Sequence, residues 1–246
     1  MILGLEPADL VWLAGMSLVA GTVRGFSGFG TAMIYLPVAA QFLPPFQAIA
    51  TVVAMDLLGP LPNLAGAVRA VDRRDLMRLL GGVLLGLPAG WWLLSRADPE
   101  LFRGVVSAVA LAMVAILILG LRYRRALPPR GVVATGVAGG LLGGFAGLPG
   151  PPVILCYMAG PHRAAVVRGT MLLYLYGYDL IVVAVFLVSQ LVPVEILLLG
   201  LALSVPNFLG NLLGGWLFDP DRERVYRVIA YGVIAASALS GLPLPF

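Results

Sequence analysis

The sequence predicts an all-α polytopic membrane protein made of two inverted repeats, each a re-entrant, broken-helix hairpin followed by three transmembrane helices. Three observations predict it. The 246-residue chain is 60% apolar, with a mean hydropathy of +0.98 and 11% charged residues, against about 25% charged in a soluble domain. Its apolar stretches have the length of a bilayer crossing. Two of them are interrupted by glycine-rich runs. This composition excludes both a water-exposed globular surface and intrinsic disorder.

A helix crossing ~30 Å of hydrocarbon needs about 20 residues. The first apolar segment, Asp9 to Phe42, runs 34 residues, which as a single helix would measure about 51 Å. Arg24-Gly25-Phe26-Ser27-Gly28-Phe29-Gly30 interrupts it. Spans are expected next at about 46–68, 76–95 and 101–121, and Arg122 to Arg130 reads as a basic, proline-containing cytoplasmic linker. A second interrupted segment, Gly131 to Gly160, is broken by Gly143-Gly144-Phe145-Ala146-Gly147-Leu148-Pro149-Gly150-Pro151-Pro152. Three prolines and four glycines in ten residues cannot continue a helix. Spans at about 164–190, 193–217 and 224–244 complete the chain. The N-terminus lacks the basic region and cleavage site of a signal peptide, so the first apolar segment is expected to stay in the membrane.

All 16 cations are arginine, and their distribution favours hairpins over long broken spans. Eight full crossings would divide the arginines 8 to 7 between the two sides, giving no orientation signal. Two hairpins and six spans place 13 on one face and only Arg96 and Arg103 on the other, with Arg24 inside the first break. The positive-inside rule then puts both termini on the outer side.

The single membrane domain, 1–246, also reads as duplicated, with a first repeat over 1–121, a second over 131–246 and the linker 122–130 between them. Gly25-Phe26-Ser27-Gly28 recurs as Gly144-Phe145-Ala146-Gly147 and Ala50-Thr51 as Gly169-Thr170, both displaced by 119 residues. Gly86, Gly90, Trp92 and Arg103 recur as Gly210, Gly214, Trp216 and Arg227, displaced by 124. A hairpin plus three spans is an odd number of crossings, which inverts the second half, as in inverted-repeat transporters.

Irregular backbone at membrane depth must face protein or water. Two opposed hairpins would bring their tips together near the midplane. There the half-helices starting near Phe29 and Pro151 would direct unpartnered N–H groups and positive dipole ends at one cavity. That is an anion site. The candidate substrate-binding set is Arg24, Gly25, Phe26, Ser27, Gly28, Gly30 and Thr31 at the first break, with Gly144, Phe145, Gly147, Pro149, Gly150, Arg168 and Thr170 at the second. Arg24, deep in an apolar segment, reads as a substrate or pathway cation, against a structural link to hairpin carbonyls. Arg168 reads as a site residue or as an interfacial anchor. Asp56 and Asp179, each expected mid-helix, are candidates for proton coupling, for pairing with Arg24, or for a hydrogen bond inside the bundle. Asn63, Asn207 and Asn211 either line the cavity or join helices. The pairs Gly86/Gly90, Gly136/Gly140 and Gly210/Gly214 read as close helix contacts. Tyr174, Tyr176 and Tyr178 are spread over more than one helix face, and His162 reads as solvated in a turn.

Arg24-Gly-Phe-Ser-Gly-Phe-Gly with Pro37 beyond it, and Gly-Gly-Phe-Ala-Gly-Leu-Pro-Gly-Pro-Pro with Arg168-Gly-Thr opening the next helix, resemble the sulfite exporter TauE/SafE family, also known as toluene sulfonate uptake permeases. The resemblance covers nearly the whole chain. It implies an inner (plasma) membrane carrier of bacterial type for sulfite, organosulfonates or related sulfur anions, often an exporter. The family's glycine-rich breaks map onto Gly25 to Gly30 and Gly144 to Gly150, and its commoner first break usually lacks an arginine at the position of Arg24.

The expected function is therefore secondary transport of a small sulfur-containing anion by alternating access. The alternatives are an anion channel or a carrier of other organic anions such as carboxylates, and a helical scaffold subunit is the third class. An enzyme is not expected: the chain has one histidine and no nucleophile–base spacing. The lone Cys156 offers neither a disulfide nor a metal site, so neither cofactor nor metal is expected. The partners are the lipid bilayer, the anion, a proton as candidate coupling ion and a second copy of the chain as candidate oligomer. Nucleic acid is not among them, because the arginines fall between apolar runs.

Overall fold

A computed structural model describes residues 5–120, 127–157, 164–217 and 223–243. Among these residues the chain is all helical: α1 (Pro7–Ser27), α2 (Thr31–Ala39), α3 (Pro45–Met55), α4 (Leu61–Ala70), α5 (Arg73–Leu94), α6 (Pro99–Leu119), α7 (Pro129–Ala146), α8 (Gly150–Tyr157), α9 (Ala164–Ser189), α10 (Val194–Leu217) and α11 (Glu223–Gly241). Five of them, α1, α5, α6, α9 and α10, are long and apolar enough to cross a membrane. Trp216 at 82% and Val188 at 86% exposure add to an apolar surface suited to lipid or to a protein partner. The chain is a multi-pass membrane protein.

Both expected breaks are present. α1 ends where Gly28 turns left-handed at φ 81°, and Gly30 at φ 105° precedes α2. α7 ends at Gly147, φ 68°, before α8 opens at Gly150. Side chains rarely adopt these angles, so glycine is required at the turns. α2 contacts α1, and α8 contacts α7. The element before the first break is longer than the expected half-helix, since α1 has 21 residues and measures about 31 Å.

The expected span at 46–68 is instead two helices, α3 and α4, separated at Asp56-Leu57-Leu58-Gly59-Pro60. Pro60 lacks an N–H and disfavours helical geometry at Gly59, and the last turn of α3 tightens through an N–H of Leu57 donated to the Ala54 carbonyl. Asp56 thus caps the end of a helix rather than sitting in the middle of one. Linker residues 122–126 and His162 lie outside the described residues.

The helices form two compact units that cut across the expected halves. Unit 1 comprises residues 1–59, 99–115 and 183–246, and unit 2 comprises 60–98 and 116–182. In unit 1, α1 packs on α10 through glycine. A methyl at Gly21 would meet the Asn207 carbonyl oxygen at 2.0 Å, and one at Gly214 the Thr22 carbonyl oxygen at 2.0 Å. Around that seam Leu13, Ile34, Tyr35, Ile49 and Met55 are fully buried. In unit 2, α5 packs on α7 in the same manner, with Gly86 against the Val137 carbonyl and Gly136 against the Leu79 carbonyl. Lipid supplies no hydrophobic drive between helices, so close backbone approach at small residues holds such pairs.

These contacts predict a sharp split within α5. Gly86→Ala places its Cβ 2.1 Å from the Val137 oxygen, whereas Gly81→Ala meets nothing within 4 Å. Gly86→Ala is expected to destabilise by about 1–3 kcal/mol, while Gly81→Ala is neutral or stabilising. Thermal unfolding of the two variants in the same detergent checks this.

Candidate functional site

The first break, in unit 1, gathers charge. Arg24 lies in the last turn of α1, where the exposed carbonyl end of the helix favours a cation. Its Nη1 donates to Asp56 Oδ1 at 2.7 Å and to Thr31 Oγ1 at 3.3 Å. The two charged side chains keep 15% and 16% exposure. Asp56 occupies the C-cap of α3, the negative end of that helix, and tolerates its position through the guanidinium. Thr31 opens α2, and no side chain caps that helix. The first-turn N–H groups of α2 therefore lie one residue from the Arg24 contact, free of an intrahelical partner. The interruption of α3 and α4 brings Asp56 to the break; Gly59-Pro60-Leu61-Pro62 was its signal in the sequence.

Other predicted residues of this break have structural partners. The Ser27 hydroxyl lies 2.7 Å from the Val23 carbonyl and 2.8 Å from the Phe29 carbonyl, its one hydrogen serving either, and accepts from the Phe29 N–H at 3.3 Å. The Phe26 ring packs 5.3 Å from that of Tyr226. Gly25 approaches the backbone of α10, where a Cβ would meet the Asn211 oxygen at 2.3 Å. Gly28 faces open space and Gly30 contacts Ile234.

Asn207 of α10 joins helices, one of the two roles weighed for it. Its Nδ2 donates to the Ser17 carbonyl at 3.2 Å, while the Ser17 hydroxyl donates to the Leu203 carbonyl at 2.7 Å. These bonds join α1 to α10.

The second break, in unit 2, is built of tyrosine and glycine. Tyr174 and Tyr178, one turn apart on α9, share a face and are fully buried, while Tyr176 lies on another face, as the spacing predicts. The Tyr174 hydroxyl donates to the Pro149 carbonyl at 3.2 Å. A Cβ at Gly139 would meet that hydroxyl at 2.2 Å, and one at Gly143 would meet the Tyr178 ring at 2.6 Å. Gly144 packs on α5 at Leu87, and Gly150 lies near Ile154 and Leu175. Phe145 is half-buried, and Gly147 and Pro149 are buried. Thr170 accepts the Asp72 N–H at 3.2 Å and joins α9 to the start of α5. Arg168 is exposed, the disposition of an interfacial anchor. Asp179 is buried in α9.

A family model described as Sulfite exporter TauE/SafE matches residues 13–241. The chain belongs to that family, which is a family of transporters. Neither the curated proteins nor the solved structures include a match.

The ion pair predicts strong coupling between its members. Truncating Arg24 alone strands a carboxylate at the end of α3, and truncating Asp56 alone strands a guanidinium. A double-mutant cycle over Arg24→Ala and Asp56→Ala, read by thermal or chemical unfolding, should give a coupling energy of about 1–3 kcal/mol, the double variant being less damaged than the two losses combined.

Proposed function

We propose that this TauE/SafE family member is a secondary carrier, working as an exporter, for small sulfur-containing anions such as sulfite or organosulfonates. Arg24 is the group that meets the anion. The observation that carries this reading is the partly accessible Arg24–Asp56 pair beside the uncapped start of α2. A cation inside an apolar segment is costly unless it has work to do, and the helix start adds N–H donors of the kind that hold oxyanions. Family membership supports the substrate class and the transport activity.

Asp56 then sets the terms of binding. With the carboxylate on Arg24 the pair is neutral, and an arriving anion would leave a net negative charge in an apolar setting. Protonation of Asp56 frees the guanidinium and keeps the loaded site neutral. A proton thus travels with the anion, and the carrier alternates between faces only when the site is neutral. Asp179, buried in α9, is a second candidate for the proton. The chain is placed in a bacterial inner membrane with both termini outside, following the arginine distribution.

Flux of sulfite and of sulfonates in proteoliposomes tests this. Arg24→Ala should lower flux at least tenfold. Asp56→Asn should make flux insensitive to an imposed pH gradient, because a neutral amide neither holds the guanidinium as strongly nor takes up a proton. Unchanged flux and selectivity in Arg24→Ala overturn the assignment. Wild-type flux indifferent to the proton gradient and lacking counterflow identifies a channel instead.

A further inference from the structure

The unit 1 site holds one polar atom that neither the ion pair nor the helix contacts use. Asn207 is completely buried, and its Oδ1 has no hydrogen-bond partner. The orientation of the amide is fixed from the other side: the Ser17 carbonyl accepts from Nδ2 at 3.2 Å, and a carbonyl can face only the nitrogen. Oδ1 is therefore an obligate acceptor left open in a buried place, a costly arrangement that native structures rarely keep without a use.

Gly59 shows where that acceptor points. A Cβ built on Gly59 would lie 3.7 Å from Asn207 Oδ1 and 3.9 Å from Arg24 Nη1, and these are the only such neighbours within 4 Å among the described residues, Gly59's own chain neighbours aside. The open acceptor and the guanidinium thus flank one small space, the position that a Cβ on Gly59 would take at ordinary contact distances. They are at most about 7.6 Å apart, since both distances run from one point.

We infer that this space is a donor-accepting subsite beside the Arg24 charge, and that the preferred substrate is an oxyanion carrying its own O–H or N–H group. The inference rests on the reading of Arg24 as the anion-binding cation. Arg24 Nη1 and the Thr31 hydroxyl address the charged oxygens, while Asn207 Oδ1 accepts the hydrogen of the substrate's hydroxyl or amine. A site of this kind discriminates strongly, because an analogue lacking the donor leaves the buried acceptor unpaired.

The test compares two sulfonates of equal charge and similar size, isethionate (2-hydroxyethanesulfonate) and 1-propanesulfonate, which differ in a hydroxyl against a methyl. Binding to the purified full-length protein is measured by titration calorimetry. Wild type should bind isethionate at least about fivefold more tightly. The ratio should fall to about one in Asn207→Leu, which removes the acceptor. It should fall likewise in Gly59→Ala, whose methyl fills the space at ordinary contact distances and at a backbone angle outside the left-handed region. Gly59→Ala keeps the test valid if Asn207→Leu fails to fold. Equal wild-type affinities, or a preference that survives Gly59→Ala, overturn the subsite and leave the anion-site reading standing. Binding of neither sulfonate overturns both.

Discussion

The ion pair between Arg24 and Asp56 is the constraint around which unit 1 is arranged. A guanidinium in an apolar segment needs an acceptor, and the acceptor must come from another element at the same depth. The chain meets that need by ending helices rather than by adding polar residues to intact ones. α1 stops just past Arg24, α3 stops at Asp56, and α2 starts at Thr31, so three termini converge on one charge. Helix ends supply local polarity, with carbonyls near the cation and N–H groups close by, that a continuous helix keeps to itself. The glycines at 28 and 30, with their positive φ angles, make the necessary turns without side-chain strain.

The second unit handles its break differently. Among the described residues, the contacts at this break come from tyrosines. The Tyr174 hydroxyl on the Pro149 carbonyl satisfies a backbone acceptor exposed by the interruption, and the glycines of α7 leave room for both rings. The two breaks share a sequence pattern but have diverged in chemistry. The first carries an ion pair at its helix ends, and the second a tyrosine hydroxyl on a freed carbonyl.

Much of this was legible in the sequence. Glycine clusters without a helical period marked both breaks, and the small-residue pairs marked both close helix seams, because those patterns answer directly to steric rules. Arg24 stood out for the simple reason that a lone cation in an apolar run is conspicuous. The interruption at 56–60 was not read, since Leu57 and Leu58 keep the hydropathy high across it and hydropathy does not register a missing N–H. Asp56 was consequently placed mid-helix, although its pairing with Arg24 was among the alternatives. Side-chain commitments were beyond sequence reasoning: the hydroxyl of Ser27 looked available, and only three-dimensional geometry shows it bonded to its own turn. The compact units were equally hidden, because a seam between α1 and α10 joins residues nearly two hundred positions apart.

That seam bears on how the protein is made. The glycine face of α1 meets its close-fitting counterpart α10 only after the intervening residues 28–193 have been made. Until then the nascent N-terminal helix must wait in the bilayer with Arg24 already in place and its groove uncovered. The same holds for neither member of the α5 and α7 pair, which follow each other within a few dozen residues. Closure of the charged unit therefore waits on a helix made long after Arg24, whereas the α5 and α7 seam can close much sooner.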